Sequence, residues 1–106
     1  MNNKFLGRWK IIDSEQWAPE MLNMDGEASI EIEKDGIGFI NFCAVEVDID
    51  YHLPNDGNDK IEFSFSGKDD RDPVSGRGWL QLQDNKLKAQ IYFHRGMESW
   101  FEAERV

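Results

Sequence analysis

The 106-residue sequence predicts an all-β fold: an eight-stranded antiparallel up-and-down barrel or a curled β-sandwich, with one short helix after the first strand. Three observations predict it. Apolar residues recur with a period of two along most of the chain, which is the period of a half-buried strand. Turn-forming residues interrupt these runs at short intervals, so sequence neighbours should pair antiparallel. A flat meander of eight strands would leave two long exposed edges, and closing the sheet removes them.

The elements follow in order. Residues 8–13 place Trp9 and Ile11 on one face. Residues 14–25 break the alternation. There Ser14 or Ala18 can cap, Pro19 suits a first helical position, and residues 20–24 make about one turn that Gly26 ends. Residues 27–34 set Ile30 and Ile32 against Glu31 and Glu33, and Asp35-Gly36 supplies left-handed hairpin conformations. Residues 37–43 are apolar on both faces. Residues 44–52 set Val45, Val47, Ile49 and Tyr51 against Glu46, Asp48, Asp50 and His52. Pro54-Asn55-Asp56-Gly57-Asn58-Asp59 reads as a loop. Ile61, Phe63 and Phe65 form the next strand, and residues 67–76 read as a polar loop holding Pro73. Residues 77–83 carry Leu80 and Leu82, Asp84-Asn85 turns the chain, and residues 87–94 carry Leu87, Ala89, Ile91 and Phe93. Arg95-Gly96 turns it again, and residues 99–106 place Phe101 and Ala103 on one face.

The composition is that of one globular domain spanning 1–106, with 40% apolar and 31% charged residues. A chain of this size buries roughly two thirds of its unfolded surface, enough for a core without staples. Apolar runs are too short to span a bilayer. A single cysteine, Cys43, rules out an internal disulfide and a cysteine-rich zinc site. The first residues lack the apolar core of a signal peptide, so the cytoplasm is the expected compartment.

Charge is the most informative feature. The net charge of −9 disfavours nucleic acid, which needs a basic face. The charge is also uneven: residues 13–50 hold eleven acids and one base, Lys34, and so carry −10. A solvated, self-repelling surface is one meaning of this; a docking face for a basic partner is the other.

Gly7-Arg8-Trp9 on the first strand and Arg105 on the last resemble the lipocalin-like, or calycin, pattern. That resemblance implies that the Arg105 guanidinium packs across the Trp9 ring and closes the barrel, a structural role for both. Residues 67–105, preceded by Phe63-Ser64, carry Gly76-Arg77-Gly78, His94, Ser99, Phe101, Ala103 and Arg105. This stretch resembles a group of small acidic bacterial proteins, some of which are similar to immunity proteins that neutralise a toxin delivered between cells.

No catalytic constellation is present. Asp69, Asp70 and Asp72 crowd one loop, but the spacing of a calcium loop is missing, and Lys68 and Arg71 offer local counter-charges. They are read as a paired loop or a partner contact. His52 and His94 are too few for a zinc site, and His94 lacks a companion nucleophile. Cys43 is expected in the core. Arg77 is expected to pair with the acidic loop before it, with an anion site as the second reading. Trp9, Phe39, Phe63, Phe65, Phe93 and Phe101 are expected to point inward and to fill most of the barrel.

The expected function is therefore binding, without metal or cofactor. The first expectation is an immunity protein or inhibitor that occludes a basic protein toxin, a nuclease with RNase as first choice. Its carriers would be Glu31, Glu33, Glu46, Asp48 and Asp50, with Trp17 or Trp100 as apolar anchors and Asp69, Asp70 and Asp72 as further contacts. The alternative is a calycin-type binder of a small apolar ligand, seated near Trp17, Met21, Leu22 and Met24. Neither reading involves a membrane.

Overall fold

Eight strands, one α-helical turn and a 3-10 turn at Lys34–Gly36 make up the computed structural model, which describes residues 3–53 and 60–106. The strands are β1 (Gly7–Ser14), β2 (Ser29–Ile32), β3 (Ile37–Phe42), β4 (Val45–His52), β5 (Lys60–Asp69), β6 (Asp72–Gln83), β7 (Lys86–Phe93) and β8 (Glu98–Arg105). Each pairs with its sequence neighbours, and β8 returns antiparallel to β1, with Trp9 opposite Arg105 and Ile11 opposite Ala103. The sheet is thus a closed barrel and not a sandwich. The reading of residues 54–59 as a loop lies outside the described residues.

Alternation places one side chain in two inside. Trp9, Ile11, Ile30, Ile40, Leu80, Leu87, Phe101 and Ala103 are almost wholly buried. The rings gather in two groups. Phe42 lies 4.8 Å from both Trp17 and Phe101, and Trp17 stacks on Phe101 at 5.9 Å. Phe65 meets Phe93 edge-on at 5.4 Å and lies 6.4 Å from Phe63. Close packing of Phe63 and Phe65 depends on glycine across the ladder. Phe65 faces Gly76 and Phe63 faces Gly78. A Cβ on Gly78 would lie 2.2 Å from the Gln90 carbonyl oxygen and 2.7 Å from the Phe63 ring.

The helix α1 (Pro19–Leu22) is a single turn with Ala18 as N-cap and Pro19 at its start. A turn this short does not hold itself. Leu22 anchors it: its side chain is fully buried, worth about 2 kcal/mol relative to exposure, and its carbonyl accepts the Cys43 N–H at 2.8 Å. Ser14 does not cap α1. Its hydroxyl donates to the Trp17 carbonyl at 2.5 Å and accepts the Trp17 N–H at 2.9 Å, holding that ring over the barrel mouth.

Three sequence expectations are corrected. Residues 67–76 are not a loop: β5 continues to Asp69 and β6 starts at Asp72, leaving a tight turn at Asp70-Arg71. Burial there alternates only faintly: Val74 alone packs a side chain on the core, glycine stands at 67 and 76, and Lys68, Asp69, Asp72 and Pro73 are exposed, so hydropathy shows no period although the strands pair. Pro73 fits because the β6–β7 register starts only at Gly76, so the ladder loses no bond on that side. Phe39 points outward, 37% exposed, not inward. Cys43 is half-buried at the β3–β4 turn with φ 52°, not a core residue of the strand.

No helix among the described residues is long and apolar enough to cross a membrane.

Candidate functional site

Strand β4 buries Val45, Val47, Ile49 and Tyr51 and exposes Glu46, Asp48, Asp50 and His52. Alternate residues on a strand stand roughly 6.7 Å apart, so the three carboxylates form a row. β3 lies beside it, with Ile37 opposite Asp50, Phe39 opposite Asp48 and Asn41 opposite Glu46. Opposed residues share a face. The outer wall therefore carries an acidic row next to a row of Ile37, Phe39 and Asn41. Ile37 is 47% exposed. On the other flank of β3, Glu31 lies opposite Phe39. Phe39 thus stands between carboxylates on both sides.

The acids differ in their engagement. Among the described residues Glu46, Asp48 and Asp50 form no ion pair. Lys68, Ser66 and Ser64 of β5 face them across the next ladder. Glu31 is already occupied: Arg8 Nη1 lies 2.5 Å from its Oε1, and Arg8 Nη2 lies 3.4 Å from Glu27. Glu33 sits just past β2. Its side chain is exposed, its N–H donates to the Ile37 carbonyl, and its own carbonyl accepts the Tyr51 hydroxyl.

Asp69, Asp70 and Asp72 lie at the tip of the β5–β6 hairpin, where Asp69 faces Val45 and the Asp70 N–H donates to the Ala44 carbonyl at 2.9 Å. This brings the tip to the Glu46 end of the acidic row. There Asp25, Glu27, Glu46, Lys68 and Asp70 line a cleft of about 360 Å³. Sequence reasoning had not joined these residues, because the fold brings them together from three separate segments.

The two tryptophans expected as anchors lie elsewhere. Trp17 is half-buried against Phe42 and Phe101 at the barrel mouth. Trp100 is half-buried on β8, which is diametrically opposite β4 in the closed order. Trp100 shares a row with Gln90 and Trp79, and Lys60 Nζ lies 4.6 Å from the Trp79 ring centre. A cleft of about 610 Å³ beside Trp100 is walled by Lys86, Lys88 and Glu102, and Lys86 pairs with Glu102 at 3.1 Å. Acids on this side thus have bases beside them. The apolar partners of the acidic row are instead Ile37 and Phe39. Their signal was legible in parity: they share it with Asn41, and Gly38, Ile40 and Phe42 take the buried one.

Arg77 and His52 line a cleft of about 270 Å³ together with Asp50 and Glu62. Arg77 lies 5.7 Å from the Tyr92 ring and, among the described residues, pairs with no acid. His52 and His94 are exposed; His52 stands opposite Glu62 on the β4–β5 ladder, and the His94 backbone N–H donates to the Ser75 carbonyl at 2.7 Å. Among the described residues no three His, Cys, Asp or Glu side chains are placed to hold a metal ion. Of the residues expected beside a small apolar ligand, Leu22 is buried, Trp17 is half-buried, and Met21 and Met24 are exposed. The chain matches no family model, no curated protein and no solved structure.

Proposed function

We propose that the protein is a non-enzymatic acidic binding protein of the immunity or inhibitor kind, which occludes a basic toxin. A nuclease is the partner class, with an RNase as first choice, and the bacterial cytoplasm the compartment. One observation carries the proposal: the unpaired row Glu46, Asp48 and Asp50 lies beside the exposed pair Ile37 and Phe39.

The physical logic runs through the partner. A nuclease must present positive charge to hold phosphate. A row of carboxylates not held in ion pairs steers such a surface into encounter and competes for it. Charge alone gives rate more than residence, and an apolar contact at the centre of the patch slows dissociation. The closed barrel has no free sheet edge, so recognition falls to side chains on its wall. The resemblance of residues 67–105 to a group of small acidic bacterial proteins, some of them similar to immunity proteins, supports the same reading. The unpaired thiol of Cys43 suits a reducing compartment.

Native mass spectrometry of the protein purified at low salt from its own host tests this. The expected result is an added mass of a whole basic polypeptide with nuclease activity that the complex suppresses. Raising salt, or changing Glu46, Asp48 and Asp50 to Lys, should remove it. A salt-resistant adduct of small-molecule mass in place of a polypeptide overturns the proposal.

A further inference from the structure

From the two adjacent rows on β3 and β4, we infer that the element received by this face is a basic amphipathic helix of the partner. The inference rests on the binding reading above and specifies the shape of what is bound. The acidic row runs along one strand with roughly 6.7 Å between carboxylates. The apolar row, Ile37 and Phe39, has the same spacing and lies roughly 5 Å to its side. On an α-helix, residues i, i+4 and i+8 rise about 6 Å per step along one stripe, and i+3 and i+7 form the neighbouring stripe. A helix with Lys or Arg on the first stripe and aliphatic residues on the second matches both rows at once. Its bases meet Glu46, Asp48 and Asp50, and its apolar side chains meet Ile37 and Phe39.

Two further features favour a helix over other basic elements. The outer wall of a closed barrel is convex, so a partner touches a band only a few strands wide, which is the width of one helix. An extended segment would need a sheet edge for its backbone bonds, and β3 and β4 are each paired on both sides. The cleft at the Glu46 end carries Asp25, Glu27 and Asp70 together with Lys68, and Glu27 lies 3.4 Å from Arg8.

The test uses the whole protein and two synthetic peptides of about 18 residues, five helical turns, with identical composition. In one, Lys and Leu occupy the two adjacent stripes; in the other, the same residues are scattered around the helix. Affinities are measured by fluorescence anisotropy at low and at about 0.15 M ionic strength. The striped peptide is expected to bind at least about tenfold more tightly than the scattered one, with helicity rising on binding. Phe39→Ser, an exposed position whose change leaves the core intact, is expected to erase that difference, as is the triple Glu46→Gln, Asp48→Asn, Asp50→Asn variant. Circular dichroism confirms that each variant is folded. Equal affinity for the two peptides overturns the helix inference and leaves the basic-partner reading standing. Absence of binding by either peptide at low ionic strength overturns both.

Discussion

The guanidinium of Arg105 lies 4.1 Å from the centre of the Trp9 ring and donates to two backbone carbonyls, Leu6 at 2.7 Å and Lys4 at 2.9 Å. The two residues are direct partners across the β1–β8 ladder, the seam where the barrel closes. The Trp9 indole N–H donates to the Phe5 carbonyl at 2.9 Å, so the same pair holds the segment before β1 across the barrel end. Gly7 completes the arrangement. Its φ is +122°, and a Cβ there would lie 2.9 Å from Arg105 Nη1. The seam needs a residue without a side chain two places before the tryptophan.

Arg105→Ala should therefore cost about 2 kcal/mol, combining a lost cation–π contact with two charge-assisted hydrogen bonds. Urea unfolding reads this as a lower midpoint at unchanged slope. Arg105→Lys should recover less than half, because an ammonium cannot lie flat on the ring and reach both carbonyls. Full recovery by lysine would show that charge alone matters at the seam.

Gly78→Ala should cost 3 kcal/mol or more, on the order of the larger core substitutions, because its Cβ meets the Gln90 carbonyl at 2.2 Å. Gly26→Ala is the control. No atom lies within 4 Å of its Cβ, and only a φ of +123° opposes the change, at about 1 kcal/mol. Equal losses in the two variants would mean that ring-over-glycine packing contributes nothing.

The unpaired acidic row should repel itself. Thermal stability should rise as salt increases from about 10 mM to about 150 mM, because screening weakens that repulsion. Converting Glu46, Asp48 and Asp50 to Lys should flatten the dependence. A salt response unchanged in that variant would locate the repulsion elsewhere on the surface.

Arg8→Ala releases Glu31 and Glu27 from their guanidinium. As an exposed pair it should cost less than about 1 kcal/mol of stability. Association with a basic partner should become faster at low salt, since the face beside Phe39 gains free charge. Stopped-flow measurement checks the rate, and a slower association would place Arg8 inside the interface.

Trp100→Ala, on the wall opposite β4, should leave association with the same partner unchanged, and Phe39→Ser should speed dissociation about tenfold or more. The reverse ranking, by surface plasmon resonance, would move the binding face to β8.

The sequence by itself determined the strand count, the antiparallel order, the one-turn helix and the membership of most of the core, because each follows from local period and turn chemistry. It also determined that the acids at 46, 48 and 50 share one face, since alternation along a strand is a local rule. The strands flanking Asp70 are hidden for the same reason: glycine at 67 and 76 leaves Val74 as the one apolar side chain packed on the core there, so no hydropathy period shows, and the ladder that holds β5 and β6 is visible only once the strands pair. What surrounds the acidic row was decided in three dimensions. Register sets Phe39 between Glu31 and Asp48, ties Glu31 to Arg8 and leaves the β4 carboxylates without an ion pair among the described residues, Lys68 standing opposite Glu46. Closure puts Trp100 on the far wall and Trp17 in the mouth. Strand pairing is a long-range choice with one hydrogen-bond pattern for every sequence, so its partners cannot be read from side chains one strand at a time.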